Sequence, residues 1–232
     1  MLGKTHHAGG TVAALLAFEI MRANGWLIPD CNETIQLLMM YPFASFGSIF
    51  PDLDQNDDAQ PSKDPVAIAI HKVLRLTGAK HRSWQTHSLL VTGGFCFLLF
   101  ALVFFGNAFL GVTGAIDWAF LRLASIGFIA GILSHLILDA FSMAGIHVWP
   151  GFKVRFVPKS SAFKTGGKWE TIVFYVLIVI LVLLIGKIFV IDIINWVKTL
   201  SFDFSFSEFL KDLGINFDID NEILKNLLKL NE

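Results

Sequence analysis

His135 and Asp139 stand four residues apart in an otherwise apolar stretch, so a helix presents both on one face, one turn apart. Imidazole with carboxylate is a ligand set for zinc, manganese or non-haem iron. Asp52 and Asp54 follow Pro51 and flank Leu53, a spacing that lets two loop carboxylates turn towards one point. His81 and His87 lie about 120° apart on a continuous helix, so they share a site only where the segment bends. Of the two, His87 is the better ligand. His81 with Arg82 reads as support behind the ligands, or as a contact for an oxyanion or phosphate. His6 and His7 form a fourth group near the N-terminus. Cys31 and Cys96 fit neither a zinc ribbon nor a disulfide framework, so no cysteine cluster competes.

The elements that must position these groups are membrane helices. Hydrophobic residues make up 54% of the 232 and charged residues only 16%, with mean hydropathy +0.63. Soluble domains average about 25% charged residues, so this chain cannot cover a globular surface with them. The same figures exclude a disordered chain and a disulfide-stapled module, and a net charge of -1 removes the general electrostatic case for nucleic-acid binding. No charge falls between Leu89 and Ile116, more than the roughly 20 residues a spanning helix needs. A second clear span is expected over 172–190. A third, 119–141, carries Arg122, His135 and Asp139. The first candidate, 9–28, contains Glu19 and Arg22, and a short stretch, 35–50, is interrupted by Pro42. The fold class expected is all-α: a polytopic membrane protein of about five transmembrane helices.

Lys63, Lys72, Arg75, Lys80 and Arg82 lie in one loop, and Lys153, Arg155, Lys159, Lys164 and Lys168 in another, whereas 28–36 and 107–118 hold no Lys or Arg. Basic loops stay in the cytoplasm, which places the N-terminus inside and the tail outside. All four polar groups then gather at the cytoplasmic ends of their helices. The first segment reads as a retained helix, since Glu19 and Arg22 interrupt it and no tidy cleavage site follows. Residues 1–195 are expected to form the membrane-embedded domain and 196–232 an amphipathic tail at the interface.

Plainer readings hold for several residues. His7 and His147, each alone, read as satisfied polar side chains. Asp57, Asp58 and Asp64 read as a solvated acidic loop; a calcium loop fails because Asp57 takes its glycine position and Lys63 its glutamate position. Gly127 and Gly131 form a GxxxG suited to close helix packing. Lys153 and Arg155 could also hold anionic headgroups. Glu19 must be buried and paired, or close to neutral. Glu170 is an outlying candidate for the site.

Several motifs then occur in order: Gly3-Lys4-Thr5-His6, Pro51-Asp52-Leu53-Asp54, His81-Arg82 with Thr86-His87-Ser88, Ser134-His135 with Leu138-Asp139, Ala144-Gly145 and Trp149-Pro150. This string, over residues 3 to 172, resembles the YdjM-type family of bacterial inner-membrane, metal-dependent hydrolases. The resemblance implies a membrane-embedded helical hydrolase whose His and Asp residues bind metal. Gln55 stands where relatives often have His, and Phe141-Ser142-Met143 replaces a usual Thr-Pro.

The resulting expectation is an enzyme with one or two divalent ions at the cytoplasmic interface, zinc foremost, then manganese or iron. Its ligands are His6, Asp52, Asp54, His87, His135 and Asp139. Asp52 or Asp54, where it is not itself a ligand, would serve as general base, and Arg82 with His81 would stabilise developing negative charge. The expected substrate is a phosphoester in a lipid or lipid-linked molecule held at the bilayer. A metal-ion transporter or sensor is the rival reading, followed by a non-catalytic scaffold; transport sites lie nearer the midplane. The sequence does not fix an oligomeric state.

Overall fold

The computed structural model describes residues 2–55, 64–110, 118–160 and 162–199. The expected amphipathic helix of the tail, 221–230, lies outside them, as do Asp57, Asp58 and Lys63. The chain divides into two compact units, Met1–Gly186 and Lys187–Glu232. All the candidate site residues belong to the first.

Among the described residues the protein is mostly helical. The order is α1 (Gly3–Ala23), α2 (Glu33–Ile49), a 3-10 turn (Phe50–Asp54), α3 (Pro65–Leu76), α4 (Leu89–Leu110), α5 (Trp118–Ala140), β1 (Ile146–Trp149), β2 (Phe152–Val154) and α6 (Lys168–Thr199). Two helices are long and apolar enough to cross a membrane: α5, and α6 over Lys168–Ile188. The uncharged helix α4 contributes a shorter apolar stretch, Leu89–Phe105.

Local chemistry sets the helix boundaries. Asn32 caps α2, its Oδ1 accepting from the Thr34 and Ile35 amides at 2.9 and 3.2 Å. Pro42 sits inside α2, as the sequence indicates. Asp64 caps α3 and Pro65 occupies its first turn, where a missing N–H costs nothing. Helix α1 has no side-chain cap of its own. Glu170, from the start of α6, supplies one: its carboxylate accepts from the Leu2 amide, from Thr5 Oγ1 at 3.1 Å, and from the Gly166 amide. The outlying site candidate is thus an anchor joining the starts of α1 and α6. Glu19 is paired, as expected, with Arg22 at 3.3 Å.

Two features depart from the sequence reading. Helix α1 begins at Gly3 rather than near Gly9, which takes His6 and His7 into its first turns. The fold is also not purely helical, because β1 and β2 form an antiparallel hairpin with His147 opposite Lys153. Pro150-Gly151 makes its turn, Gly151 having φ +87, a backbone state that suits glycine at this turn position. The hairpin leans on the start of α4: the His147 amide donates to the His87 carbonyl at 2.8 Å, and Ser88 Oγ to the Val148 carbonyl at 3.0 Å.

The core is where α1, α2 and α5 meet, and glycines set its spacing. A Cβ on Gly131 would fall 2.2 Å from the Ala44 carbonyl oxygen, and one on Gly127 2.4 Å from that of Met40. Gly47 of α2 faces the Phe128 carbonyl just as closely. The GxxxG is therefore a packing device, as read from the sequence. Forcing a methyl into such a contact costs about 1–3 kcal/mol. Gly131→Ala is expected to lower the melting temperature in detergent, whereas Gly93→Ala, helical and with open space around its Cβ, does not lower it. Equal melting of the two variants would contradict this packing.

Candidate metal centre

Four segments bring their polar residues to one end of the helix bundle. His6 comes from the first turns of α1, Asp52 and Asp54 from the 3-10 turn, His87 from the residues before α4, and His135 and Asp139 from the last turns of α5. All six are at most 3% exposed. The structure thus brings together every ligand candidate named from the sequence. His6 Nε2 lies 3.5 Å from Asp139 Oδ1 and 3.9 Å from Asp52 Oδ2. His87 Nε2 is 3.4 Å from Asp52 Oδ1 and 3.6 Å from Asp139 Oδ2. His135 Nε2 is 3.8 and 3.7 Å from the same two oxygens.

Hydrogen bonds fix which nitrogen of two rings faces the centre. His135 Nδ1 meets the Ser48 carbonyl at 2.6 Å, and a carbonyl only accepts, so Nδ1 carries the proton. The neutral ring then presents a bare Nε2 to the centre. Thr86 gives its single hydroxyl proton to Asp54 Oδ2 and so accepts from His87 Nδ1, 3.0 Å away. His87 in its neutral form therefore also presents Nε2. The two Nε2 atoms face each other at 3.3 Å. Two imidazoles on a tetrahedral ion at about 2.1 Å would hold their nitrogens roughly 3.4 Å apart. His6 stacks on His135, ring centroids 3.8 Å apart, and neither of its ring nitrogens has a hydrogen-bond partner although both are buried. Asp52 Oδ1 is likewise buried without a donor. Groups of this kind are costly to bury unless something else binds them.

The remaining candidates flank these six. Asp54 accepts from the Ser83 amide at 3.3 Å and from Thr86, and its Oδ1 lies 3.3 Å from Nδ1 of the half-exposed His81. Arg82 Nη2 is 3.3 Å from both oxygens of Asp139, and Nη1 reaches Ser142 Oγ at 3.4 Å. Its backbone is left-handed, with φ +57. That state is uncommon outside glycine and concentrates at functional sites. His7 lies away from the centre, bonded to Ser45 Oγ at 3.0 Å. Three sets of donor atoms lie close enough together to share an ion: His6, His135 and Asp139; Asp52, His87 and His135; Asp52, Asp54 and His81. These buried His and Asp groups could hold a metal ion.

Sequence reasoning missed His71. Buried on α3, it bonds through Nδ1 to the Leu53 carbonyl at 2.7 Å and so holds the turn between the two aspartates. The signal was present in Asp64-Pro65 followed by an amphipathic stretch, which announces a helix start. The Ser48 carbonyl that orients His135 had no sequence signal, because any residue supplies a carbonyl.

A model of the YdjM inner membrane protein family matches residues 1–197. The chain belongs to this family. The match runs past the motif string at both ends and takes in every candidate ligand. Membership makes it an inner membrane protein, in keeping with the two apolar helices long enough to span. No curated protein and no solved structure matches the chain.

The electrostatics outside the spans follow from this clustering. Burial alone would raise the pKa of Asp52, but the imidazoles of His135, His87 and His6 outweigh it and hold the carboxyl well below its usual range. Asp54 is also depressed against burial, by His81, His87 and Thr86. For His87, burial disfavours the charged ring, yet Asp52, Asp54 and Asp139 prevail and raise its pKa to about 9. His87 therefore stabilises the metal-free fold fully below about pH 6.5, and this contribution is lost as pH rises through about 9. A ligating imidazole must give up that proton. Metal binding near neutral pH is expected to release about one proton, read by calorimetry in buffers of different ionisation enthalpy. Binding enthalpy that does not vary with the buffer would contradict an imidazolium at His87.

Proposed function

We propose that this YdjM family protein is a multi-pass, metal-dependent hydrolase of the bacterial inner membrane, acting on a phosphoester in a lipid or lipid-linked substrate. The observation that carries the reading is the pair of Nε2 atoms of His87 and His135, 3.3 Å apart and ringed by Asp52 and Asp139. Imidazole and carboxylate donors without thiolate suit zinc, manganese or iron. A divalent ion held there would lower the pKa of a water and polarise the phosphoester.

The chain's own residues supply the rest. His6, His87, His135, Asp52, Asp54 and Asp139 would hold the metal. A carboxylate oxygen of Asp52 or Asp54 that the metal leaves free would take a proton from the attacking water. Arg82 is part-exposed beside Asp139 and would meet the negative charge that builds on the phosphoryl oxygens. Its left-handed backbone aims the guanidinium at the centre at a strain of roughly 1–3 kcal/mol.

Charge placement supports a cytoplasmic site. Lys4, Lys80, Lys153, Arg155 and Lys164 all belong to the segments that converge on the site, while the turn from α1 to α2, residues 24–32, has no Lys or Arg. With the substrate arriving from the bilayer, a site at the helix ends meets a headgroup at its own depth. Transport is the weaker reading, since the ligands sit at helix ends rather than on broken helices near a midplane.

Purified protein reconstituted with zinc or manganese is expected to cleave members of a panel of phosphoester lipids, and to stop when chelated. Arg82→Gln should retain metal and lose about 100-fold or more in kcat. His87→Ala and Asp139→Ala should lose metal while staying folded. A metal-loaded protein inactive on the whole panel would overturn the phosphoester assignment, and metal flux in proteoliposomes would favour transport.

A further inference from the structure

The three donor sets overlap unevenly. His6, His135 and Asp139 form one set, Asp52, Asp54 and His81 another, and these two have no residue in common. Two ions can therefore be held without any side chain serving twice. The sets differ in setting. Every member of the first is fully buried, with 0% exposure. The second has two buried carboxylates and His81, whose side chain is 45% exposed. His87 stands between them: Nε2 faces His135 and Asp139, while Nδ1 lies 3.6 Å from Asp54 Oδ2.

We infer that the site is built for two metal ions of unequal access, an inner one on His6, His135 and Asp139 and an outer one on Asp52, Asp54 and His81. This rests on the metal-dependent reading above and extends it. Each set contains buried polar atoms that lack a protein partner: both ring nitrogens of His6 in the inner set and Oδ1 of Asp52 in the outer. An ion at the inner set answers His6, and an ion at the outer set answers Asp52 Oδ1. The inner position is closed by protein and suits an ion that is always held. The outer position has one ligand at the protein surface, so water and a phosphoryl oxygen can reach it. His81 is then a ligand, not a support behind the ligands. Paired ions of this sort clamp the attacking and leaving oxygens of a phosphoester.

The test is manganese titration of the purified, metal-stripped full chain in detergent, read by metal content and by electron paramagnetic resonance. The wild type is expected to take up two equivalents and to show the spectrum of coupled Mn(II) ions at saturation. His81→Ala, a change at a half-exposed side chain, should keep one equivalent and show isolated Mn(II). A wild type that saturates at one equivalent would overturn the two-ion site while leaving the hydrolase reading intact. Two coupled ions in His81→Ala would overturn the role of His81. A wild type that takes up no metal would overturn both readings. The wild-type count decides the matter even where a variant fails to fold.

Discussion

Three carboxylates and three imidazoles are withdrawn from water at one end of a set of apolar helices, and the surrounding structure is arranged to hold them there. Moving an ionised carboxylate out of water costs several kcal/mol unless partners replace the lost hydration. Asp54 finds those partners in the Ser83 amide and the Thr86 hydroxyl, and Asp139 in Arg82. The Ser48 carbonyl orients His135. Among the buried atoms that no protein partner answers are both ring nitrogens of His6 and one oxygen of Asp52. The three carboxylates also outweigh the charges of Arg82 and a protonated His87. A divalent cation in place of the His87 proton would balance the charge of the cluster.

Short side chains can meet at one point only if their helices approach closely, which links the core to the site. Gly47, Gly127 and Gly131 let the backbones of α2 and α5 touch. That contact fixes the carbonyl of Ser48, near the end of α2, against the ring of His135 on α5. On the other side the hairpin grips the main chain of His87 and Ser88, and His71 of α3 holds the carbonyl between the two aspartates. Glu170 anchors the first turn of α1, where His6 stands. Each ligand segment thus has a tether that is not itself a ligand.

Much of the cluster was legible in the sequence because charged and imidazole groups in an apolar chain are expensive and therefore conspicuous. His135 and Asp139 declared themselves by helical spacing, and Asp52 and Asp54 by following a proline at the end of an apolar segment. Gly127 and Gly131 announced the close packing. What was not legible came from contacts distant in sequence. Nothing near Glu170 shows that it caps a helix 165 residues earlier. The three-residue strand β2 and its partner β1 are too short for a periodic signal, although Pro150-Gly151 marks their turn. Helix α1 starts earlier than hydropathy suggests because its first turn is polar and is held by Glu170 rather than by a cap of its own.

X-ray absorption at the metal edge of the purified protein reports which atoms ligate the ion. Nitrogen and oxygen alone are expected around the metal at about 2.0–2.2 Å, with the outer scattering of coordinated imidazoles. A sulfur scatterer near 2.3 Å would place the metal on cysteine, and a shell without imidazole would remove His6, His87 and His135 from it. Either result would contradict a centre built on the His and Asp residues of α1, the 3-10 turn, the start of α4 and α5.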